Sequence, residues 1–326
     1  MSIQKGKFHL SVFKIDRNPH EDVEHLLSAV AKNAVPPIDM EATGWASGNM
    51  LLDESITPEN SKFGNCAVLH LRTNFKKMDP GLLKALIQKQ EEEFKKKNNT
   101  NSIPNNFRKE FKENAVSILK PQATPAVKGI ECVIDNDVLM IGSESLKECD
   151  QVVTRLTVDC GLEVSTPKHI SEIGDPWSGG RRFLTWLWRV TQNDGPKIGE
   201  TCVTMEGPLE LIASDRETIC SSANLRGSLV TTSTELRQML EQEKKEITKA
   251  KLSLLIDEDI FRFTFNADKW SFGSLELPPE CKTFQDRILA VRKLYFQLEN
   301  LFRFWKTVEA AEHGIQELPG IKTEEK

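Results

Sequence analysis

The residues from Phe284 to Glu312 carry the strongest periodic signal in the chain, and this signal restricts the fold more than any other segment. Apolar side chains recur there at alternating steps of four and three residues, the period of one face of an α-helix. They are Phe284, Ile288, Val291, Tyr295, Leu298, Phe302 and Trp305, with a second row at Leu294, Leu301 and Val308. A helix of this length spans roughly 40 Å. Because its apolar face is so wide, it needs cover from more than one neighbouring element.

Two arrangements would cover this helix. The β-prone runs Lys251–Ile256, Ile260–Phe265 and Ser271–Leu277 predict an antiparallel meander, with an acidic first turn at 257–259. We favour a core helix that packs against this meander. The alternative is a self-associating coiled coil, for which a single run of fewer than about five heptads is short evidence.

The stretch from Phe75 to Lys128 is basic, although the chain as a whole has a formal net charge of −5. It holds twelve Lys and Arg residues against six Asp and Glu residues. Asp79 followed by Pro80 predicts a helix start, because Asp caps free backbone N–H groups and Pro at the first helical position lacks only an unpaired donor. Two amphipathic helices with a polar connector are indicated by apolar residues at Leu82, Leu83, Leu86, Ile87 and Phe94, and then at Phe107, Phe111, Ala115 and Ile118.

The basic side chains of this stretch lie mostly off the two predicted apolar faces. They therefore face solvent, a partner or a ligand. A solvated Lys/Glu surface is the commoner case for a single chain, and a surface that binds an anionic partner is the functional alternative. In an acidic protein such a surface must be segregated from the rest of the charge.

Length and composition restrict the class of protein. A chain of 326 residues with 39% hydrophobic content is long enough for two or more lobes, each with its own core. The seven cysteines are scattered without a CxxC pair, which favours reduced thiols in a cytosolic protein over a disulfide framework or a zinc site. The N-terminus lacks a signal-peptide core, and no apolar run reaches the length of a membrane span. We expect a soluble intracellular protein without a membrane segment.

The rest of the chain mixes short strands with helices. Strands are predicted at 8–15, 67–71, 129–134, 138–141, 162–165, 202–205 and 209–213, and helices at 19–33, 145–158 and 234–245. Turn residues at 135–137 predict a hairpin between the strands at 129–134 and 138–141, and 202–213 reads as a second strand pair. The segment Gly174–Val190 fits a strand or a short helix, and we favour the helix.

These elements predict an α+β fold of antiparallel sheets with packed helices. We divide the chain into an N-terminal α/β lobe at 1–78, a segment at 79–170 and a C-terminal lobe at 171–326. The middle segment holds the basic helical pair, a β-hairpin and a helix, and the C-terminal lobe holds the meander and the long helix. The lobes need not be continuous in sequence.

Catalytic motifs are not evident. The six histidines have no HExxH or HxH spacing, and Gly179 and Gly180 belong to no phosphate-binding fingerprint. Carboxylates at Asp135 and Asp137, and at 257–259, are the kind of cluster that holds magnesium in nucleases. Both groups lie at predicted hairpin tips, where Asp is a common turn residue, so we favour turns. We expect no catalytic residue, no metal and no cofactor.

Several short motifs, taken in order along the chain, resemble the RdgC recombination-associated family. Asp39-Met40 followed by Gly44-Trp45 resembles the family's DMxxxGW motif. The basic helix that starts at Pro80, the LKPQA turn at 119–123, and the hairpin strands at 134–141 follow in the family's order and at similar intervals. The resemblance extends over nearly the whole chain, and the order is more specific than any one motif.

The resemblance implies a curved, multi-lobed α+β protomer that forms a ring-shaped homodimer around DNA. The family binds double- and single-stranded DNA without sequence preference, and it limits the loading or action of the RecA recombinase. It therefore implies a non-enzymatic, cytoplasmic and nucleoid-associated protein whose partners are DNA, a second copy of itself and RecA. The alternative is a magnesium-dependent exonuclease or nuclease-related enzyme, a label that the family has also carried.

The resemblance also indicates DNA contacts. The KEITK segment at 245–249 resembles a KVVTK segment whose lysines face the DNA hole. Gln122 and Thr124 stand where the family has Arg and Phe, and the segment at 174–183 looks like an insertion. We therefore expect weaker DNA binding, or binding that depends on the arginines of the insertion. The candidate DNA-binding residues are Lys95, Lys96, Lys97, Arg108, Lys109, Lys112, Lys120, Gln122, Lys128, Arg181, Arg182, Arg226, Lys245 and Lys249.

A ring built from two identical curved protomers requires two separate isologous contacts, because one contact leaves an open end. We therefore expect sedimentation velocity at micromolar concentration to give a species of twice the chain mass of 36.9 kDa. A strictly monomeric protein under these conditions would contradict the ring.

Overall fold

A computed structural model describes residue 3 and residues 5–165, 178–191, 197–198, 201–213, 223–225 and 232–312. The helices are α1 (Val23–Ala31), α2 (Pro58–Ser61), α3 (Pro80–Asn98), α4 (Asn105–Leu119), α5 (Leu146–Cys160), α6 (Ser178–Thr191), α7 (Thr234–Glu241) and α8 (Phe284–Glu312). A 3₁₀ turn at Lys120–Gln122 follows α4. No described helix is long and apolar enough to cross a membrane.

Thirteen strands are described. They are β1 (Phe8–Arg17), β2 (Ala42–Ser47), β3 (Lys62–Phe63), β4 (Cys66–Lys77), β5 (Thr124–Asp135), β6 (Val138–Ile141), β7 (Glu163–Ser165), β8 (Lys197–Ile198), β9 (Thr201–Ala213), β10 (Ala223–Leu225), β11 (Lys245–Ile256), β12 (Asp259–Asn266) and β13 (Ser271–Glu276). Helices and antiparallel strands are mixed along the chain, so the predicted α+β class is confirmed. The helix predicted within 174–190 is confirmed over 178–190, and residues 174–177 lie outside the described residues. The hairpin at 129–141 and the meander are confirmed as well.

The predicted strand pair at 202–205 and 209–213 is wrong, because both runs belong to the single strand β9. Glu206 pairs with Lys251 and Leu209 pairs with Ala250, so Gly207 and Pro208 form a bulge on the β9 side of the ladder. Gly-Pro is a common turn signal in a sequence. Here the long neighbouring strand β11 keeps the chain extended through it.

The chain divides into two compact units that are interleaved in sequence. Unit 1 comprises Met1–Leu26, Lys62–Val68 and Glu131–Lys326. Unit 2 comprises Leu27–Ser61 and Leu69–Ile130. Strands β4 and β5 each begin in one unit and end in the other.

In unit 1 the strands form a sheet in the order β10-β9-β11-β12-β13-β1-β6. The sheet and α8 share one apolar core, so the predicted core helix is confirmed. The ring of Phe302 in α8 lies 5.4 Å from that of Trp270 and 5.3 Å from that of Phe183 in α6. From the meander, the side chains buried in this core include Phe261, Phe263, Phe265 and Phe272.

The N-terminal segment of unit 1 is held by two buried charged side chains. Arg287 of α8 donates from Nε to the Ile3 carbonyl at 2.6 Å and from Nη2 to the Gly6 carbonyl at 2.7 Å. The Glu131 carboxylate accepts the Ile3 N–H at 2.5 Å. Burial lowers the pKa of Arg287 from its usual value, with smaller opposing contributions from Cys281 and Glu131. These contacts anchor Ile3 to β5 and α8, and Gly6 to α8.

Four of the six described cysteines of unit 1 are buried free thiols. Cys66, Cys132, Cys149 and Cys160 lie in the interior. Burial raises the pKa of Cys66 and of Cys160 to about 12. Both groups are therefore protonated at neutral pH and are poor nucleophiles.

In unit 2, β2 and β4 form an antiparallel ladder from Ala42 opposite Asn74 to Ser47 opposite Leu69. The backbone at Val35 lies along β2, because the Val35 N–H donates to the Trp45 carbonyl at 2.8 Å. A Cβ atom on Gly44 would approach the Val35 Cα to 2.8 Å. Only glycine permits this contact, which explains the glycine of the Gly-Trp pair singled out in the sequence.

Two loops of unit 2 are joined by the buried guanidinium of Arg72, which is 0% exposed. It donates to the Asn74 Oδ1 at 2.8 Å, to the Pro36 carbonyl at 2.8 Å and to the Leu51 carbonyl at 3.2 Å. The Asn74 side chain donates to the Pro36 and Pro37 carbonyls, each at 3.0 Å. A buried charge is stable only when its donors are satisfied, and here carbonyl oxygens accept from them while the Glu54 carboxylate lies 3.9 Å from Nη2.

We expect Arg72→Met to lower the free energy of unfolding by roughly 3 kcal/mol, because buried carbonyls would lose their donors. Urea denaturation gives the loss, and hydrogen exchange should become faster in the loops at 36–41 and 48–54. Arg17→Met is the control, since Arg17 makes an exposed ion pair with Glu163 at 3.2 Å. Equal effects of the two substitutions would contradict this account of Arg72.

Candidate nucleic-acid interface

Helices α3 and α4 form an antiparallel hairpin in unit 2, as the sequence predicted. The Asp79 carboxylate caps α3 by accepting the Gly81 N–H at 2.7 Å and the Leu82 N–H at 2.9 Å. Pro80 occupies the first turn. The helix ends at Asn99, whose φ of 47° is the left-handed conformation typical of a helix C-cap. Local sequence therefore determines where α3 begins and ends.

The two helices pack on each other through three phenylalanine rings. Phe94 of α3 lies 4.7 Å from Phe107 and 5.7 Å from Phe111, measured between ring centroids. No residue of α3 is buried, and α4 buries only Ala115 and Leu119. The predicted apolar face of α3 is therefore only partly covered. Most of the hairpin surface is open to solvent.

Six cations gather at one end of this hairpin, where α3 ends and α4 begins. Lys95, Lys96 and Lys97 follow Phe94 directly, and the contact between Phe94 and Phe107 brings them beside the first turns of α4. We call this group the hairpin-end cluster, and its members are Lys95, Lys96, Lys97, Arg108, Lys109 and Lys112. The structure therefore brings together six of the candidate residues that the sequence proposed.

Most of the hairpin-end cluster has no acidic partner. Lys109 is 3.8 Å from Glu113 in the next turn of α4. For the other five members, no carboxylate in the described residues lies within ion-pair distance. All of the cluster except Lys95 is exposed to solvent, and Lys95 is half-buried.

The helix dipole accounts for only half of this cluster. Lysines in the last turn of α3 are stabilised by the negative end of its dipole, which is the simpler explanation of Lys95, Lys96 and Lys97. Arg108 and Lys109 lie at the opposite pole, in the early turns of α4, where the dipole disfavours cations. That first turn has no acidic residue, and Pro104 offers no side-chain cap. Unsatisfied backbone N–H groups flanked by cations are a phosphate-binding arrangement.

Other candidates in unit 2 lie elsewhere. Lys120 pairs with Glu41 at 2.5 Å, and this hydrogen bond lowers the pKa of the Glu41 carboxyl. It follows the last turn of α4, so it lies roughly 12 to 18 Å along the helix from the cluster members of α4. Gln122 is exposed in the 3₁₀ turn, and Lys128 is exposed on β5.

Three of the five candidates in unit 1 are engaged in ion pairs. Arg181 binds Asp268 through two bonds, Nε to Oδ1 at 2.6 Å and Nη2 to Oδ2 at 3.1 Å, and its side chain is 19% exposed. Lys245 lies 2.8 Å from Glu243, and Lys249 lies 3.6 Å from Glu210.

The remaining two candidates of unit 1 are both arginines. Arg182 is half-buried beside Arg181 on α6. Arg226 lies outside the described residues.

The carboxylates at the two hairpin tips are held by neighbouring residues of α8. Arg292 Nε lies 3.1 Å from the buried Asp135 Oδ2. Lys293 Nζ lies 2.7 Å from Asp257 and 2.8 Å from Asp259. Nowhere in the described residues do three or more potential metal ligands come together. Sequence reasoning missed both cations, because it treated α8 only as a core helix; their polar positions within the apolar pattern were the available signal.

The tips themselves have turn conformations. Asn136 has φ 52° and Asp257 has φ 57°, both in the left-handed region that two-residue hairpin turns require. The interpretation of these acidic residues as turn residues agrees with this geometry.

Comparison with known proteins gives one finding about the family and one negative result. The model of the family described as "Putative exonuclease, RdgC" matches residues 9–202, which is more than half of the chain. A search of curated proteins finds no match. The matched span includes the whole α3–α4 hairpin and ends before β11 and α8.

Proposed function

Because this chain belongs to the RdgC family, we propose that it is a DNA-binding protein without sequence preference that modulates RecA-dependent recombination. The observation that carries the DNA-binding part is the hairpin-end cluster. It gathers six cations on an exposed helical hairpin of an acidic chain, and only one of them has an acidic partner among the described residues.

Phosphate neutralisation explains how such a cluster would hold DNA. DNA carries a dense row of phosphates with condensed counterions, and each cation that contacts a phosphate releases a counterion. Unpaired lysines bring the largest gain, because no internal ion pair has to be broken first. The N-terminus of α4 adds backbone N–H donors and a positive dipole end at the same place.

The residue types of the cluster support binding that ignores base sequence. Five of the six cations are lysines, whose ammonium groups act as point charges without the planar fork that reads a guanine edge. Contacts to phosphates position a protein on DNA but do not distinguish its sequences.

The ring-shaped homodimer, RecA as a partner, and a place on the nucleoid in the cytoplasm are also part of the proposal. They rest on family membership alone. The hairpin-end cluster supports only the DNA contact.

To test the cluster, we replace Lys96, Lys97 and Arg108 with Gln and measure affinity for labelled duplex at several salt concentrations. Each phosphate contact contributes about −0.9 to the slope of log affinity against log salt. The triple variant should lower the magnitude of the slope by about one for each contact removed, and equally for unrelated sequences.

The matched control replaces Lys84 and Lys89 with Gln on the same helix, away from the hairpin end. It should change the slope much less. An equal change per charge removed would mean that affinity follows total charge. An unchanged slope in the triple variant would refute the cluster as the DNA contact.

The family description also contains the word exonuclease, and this is the second candidate function. A nuclease would need clustered carboxylates free to bind magnesium. Asp135, Asp257 and Asp259 are instead held by α8 cations. We therefore expect purified protein with magnesium or manganese to leave linear and circular DNA intact in a gel assay. Degradation that Asp135→Asn or Asp257→Asn abolishes would establish the exonuclease instead.

A further inference from the structure

A groove of about 500 Å³ lies in unit 1 between α8 and the strands β1 and β6. This volume is within the usual range for small-ligand sites, roughly 300–1,000 Å³. Lys14 of β1 and Val138 of β6 line one side. The other side is the face of α8 that turns away from the core, and it includes Arg292, Phe296 and Arg303.

Phe296 is unusual in this groove because it is a large apolar residue that is 59% exposed. Phe304, the other exposed phenylalanine of α8, has a neighbour, since its ring lies 6.3 Å from that of Trp186. Phe296 contacts no aromatic ring among the described residues. Leaving a large apolar side chain in water forgoes the stabilisation that its burial would give. An exposed ring in a concave site is therefore available to stack on a ligand.

The cations beside this ring are oriented by ion pairs. Arg303 Nη2 donates to Glu299 at 2.8 Å, and Arg292 is held by Asp135. A guanidinium has five N–H donors, so each keeps donors for a ligand after binding one carboxylate. Lys14 has no ion-pair partner among the described carboxylates.

The charge of the groove is nearly balanced, in contrast to the hairpin-end cluster. Carboxylates hold Arg292, Lys293 and Arg303, and Asp137 also lines the groove. Phosphate charge alone would therefore be attracted weakly. A suitable ligand must accept hydrogen bonds and also present a flat apolar face to Phe296.

Single-stranded nucleic acid has both properties, because its bases are exposed beside its phosphates. Duplex DNA presents its phosphates but keeps the faces of its bases stacked inside. We propose that this groove binds a single-stranded nucleic acid segment, with a base stacked on Phe296 and an adjacent phosphate at Lys14 and the free N–H groups of Arg303. The inference rests on the proposed function and extends it, because it separates a base-dependent site in unit 1 from a phosphate-dependent site in unit 2.

The test uses a fluorescent thymidine strand of about 15 nucleotides and an abasic strand of the same length, whose backbone carries no bases. Phe296→Ala in the full-length protein should weaken binding of the thymidine strand about tenfold and leave binding of the abasic strand unchanged, since base–aromatic stacking is lost. Leu289→Ala is the matched control, because Leu289 is 55% exposed on the same helix and lies outside the groove. It should change neither affinity. Thermal melting of both variants checks the fold.

The outcomes separate this inference from the proposed function. If Phe296→Ala and wild type bind the thymidine strand with equal affinity, binding of a single strand in the groove is contradicted. Duplex binding that depends on the hairpin-end cluster would still stand. Equal losses on both strands also overturn it, because stacking needs a base. Wild-type protein that binds neither strand nor duplex overturns both proposals.

A second measurement locates the contact directly. Photo-crosslinking with a 5-iodouracil strand, followed by peptide mass spectrometry, should label the peptide that contains Phe296, and Lys14→Gln should reduce the yield. Crosslinks confined to α3 and α4 would place the single strand at the helical hairpin and contradict binding in the groove.

Discussion

Burial of the apolar face of α8 against the meander is the interaction on which unit 1 depends. Phe302 and Trp305 lie at the centre of an aromatic core that also includes Phe183 of α6 and Trp270 of the last meander turn. Once this face is buried, the opposite face of the helix has a fixed position. This face then holds the two hairpin tips through Arg292 and Lys293, and it presents Phe296 to the groove. One helix therefore supports the apolar core, the two hairpin turns and the candidate groove.

The two candidate sites handle charge in different ways, and this difference separates their proposed ligands. In unit 1 the candidate cations with described geometry are mostly paired, as with Arg181 and Asp268 at 2.6 Å. Pairing fixes a side chain but offsets its charge, so recognition there depends on shape and stacking. The hairpin-end cluster keeps its charge, because its helices bury little and leave long lysines in water, where an unpaired ammonium costs nothing in desolvation.

Elements with local signals were predictable from the sequence, and those that depend on a distant neighbour were not. The caps of α3 at Asp79 and Asn99, and the period of α8, are local, so both helices were found correctly. The two halves of β9 were predicted as separate strands, because Gly207 and Pro208 resemble a turn unless β11 is known to lie alongside. Phe296 was not predicted as a site residue because its role depends on distant neighbours. Nothing near it in sequence shows that it faces a groove.

The sequence by itself determined the α+β class, the basic hairpin and the family, because periodicity, capping residues and motif order are written along the chain. Only the tertiary structure decided which cations remain available for a ligand. Ion pairs such as Arg292 with Asp135, or Lys249 with Glu210, join residues far apart in sequence. Whether a lysine is neutralised therefore depends on what the fold places within about 4 Å of it, and composition cannot give that distance.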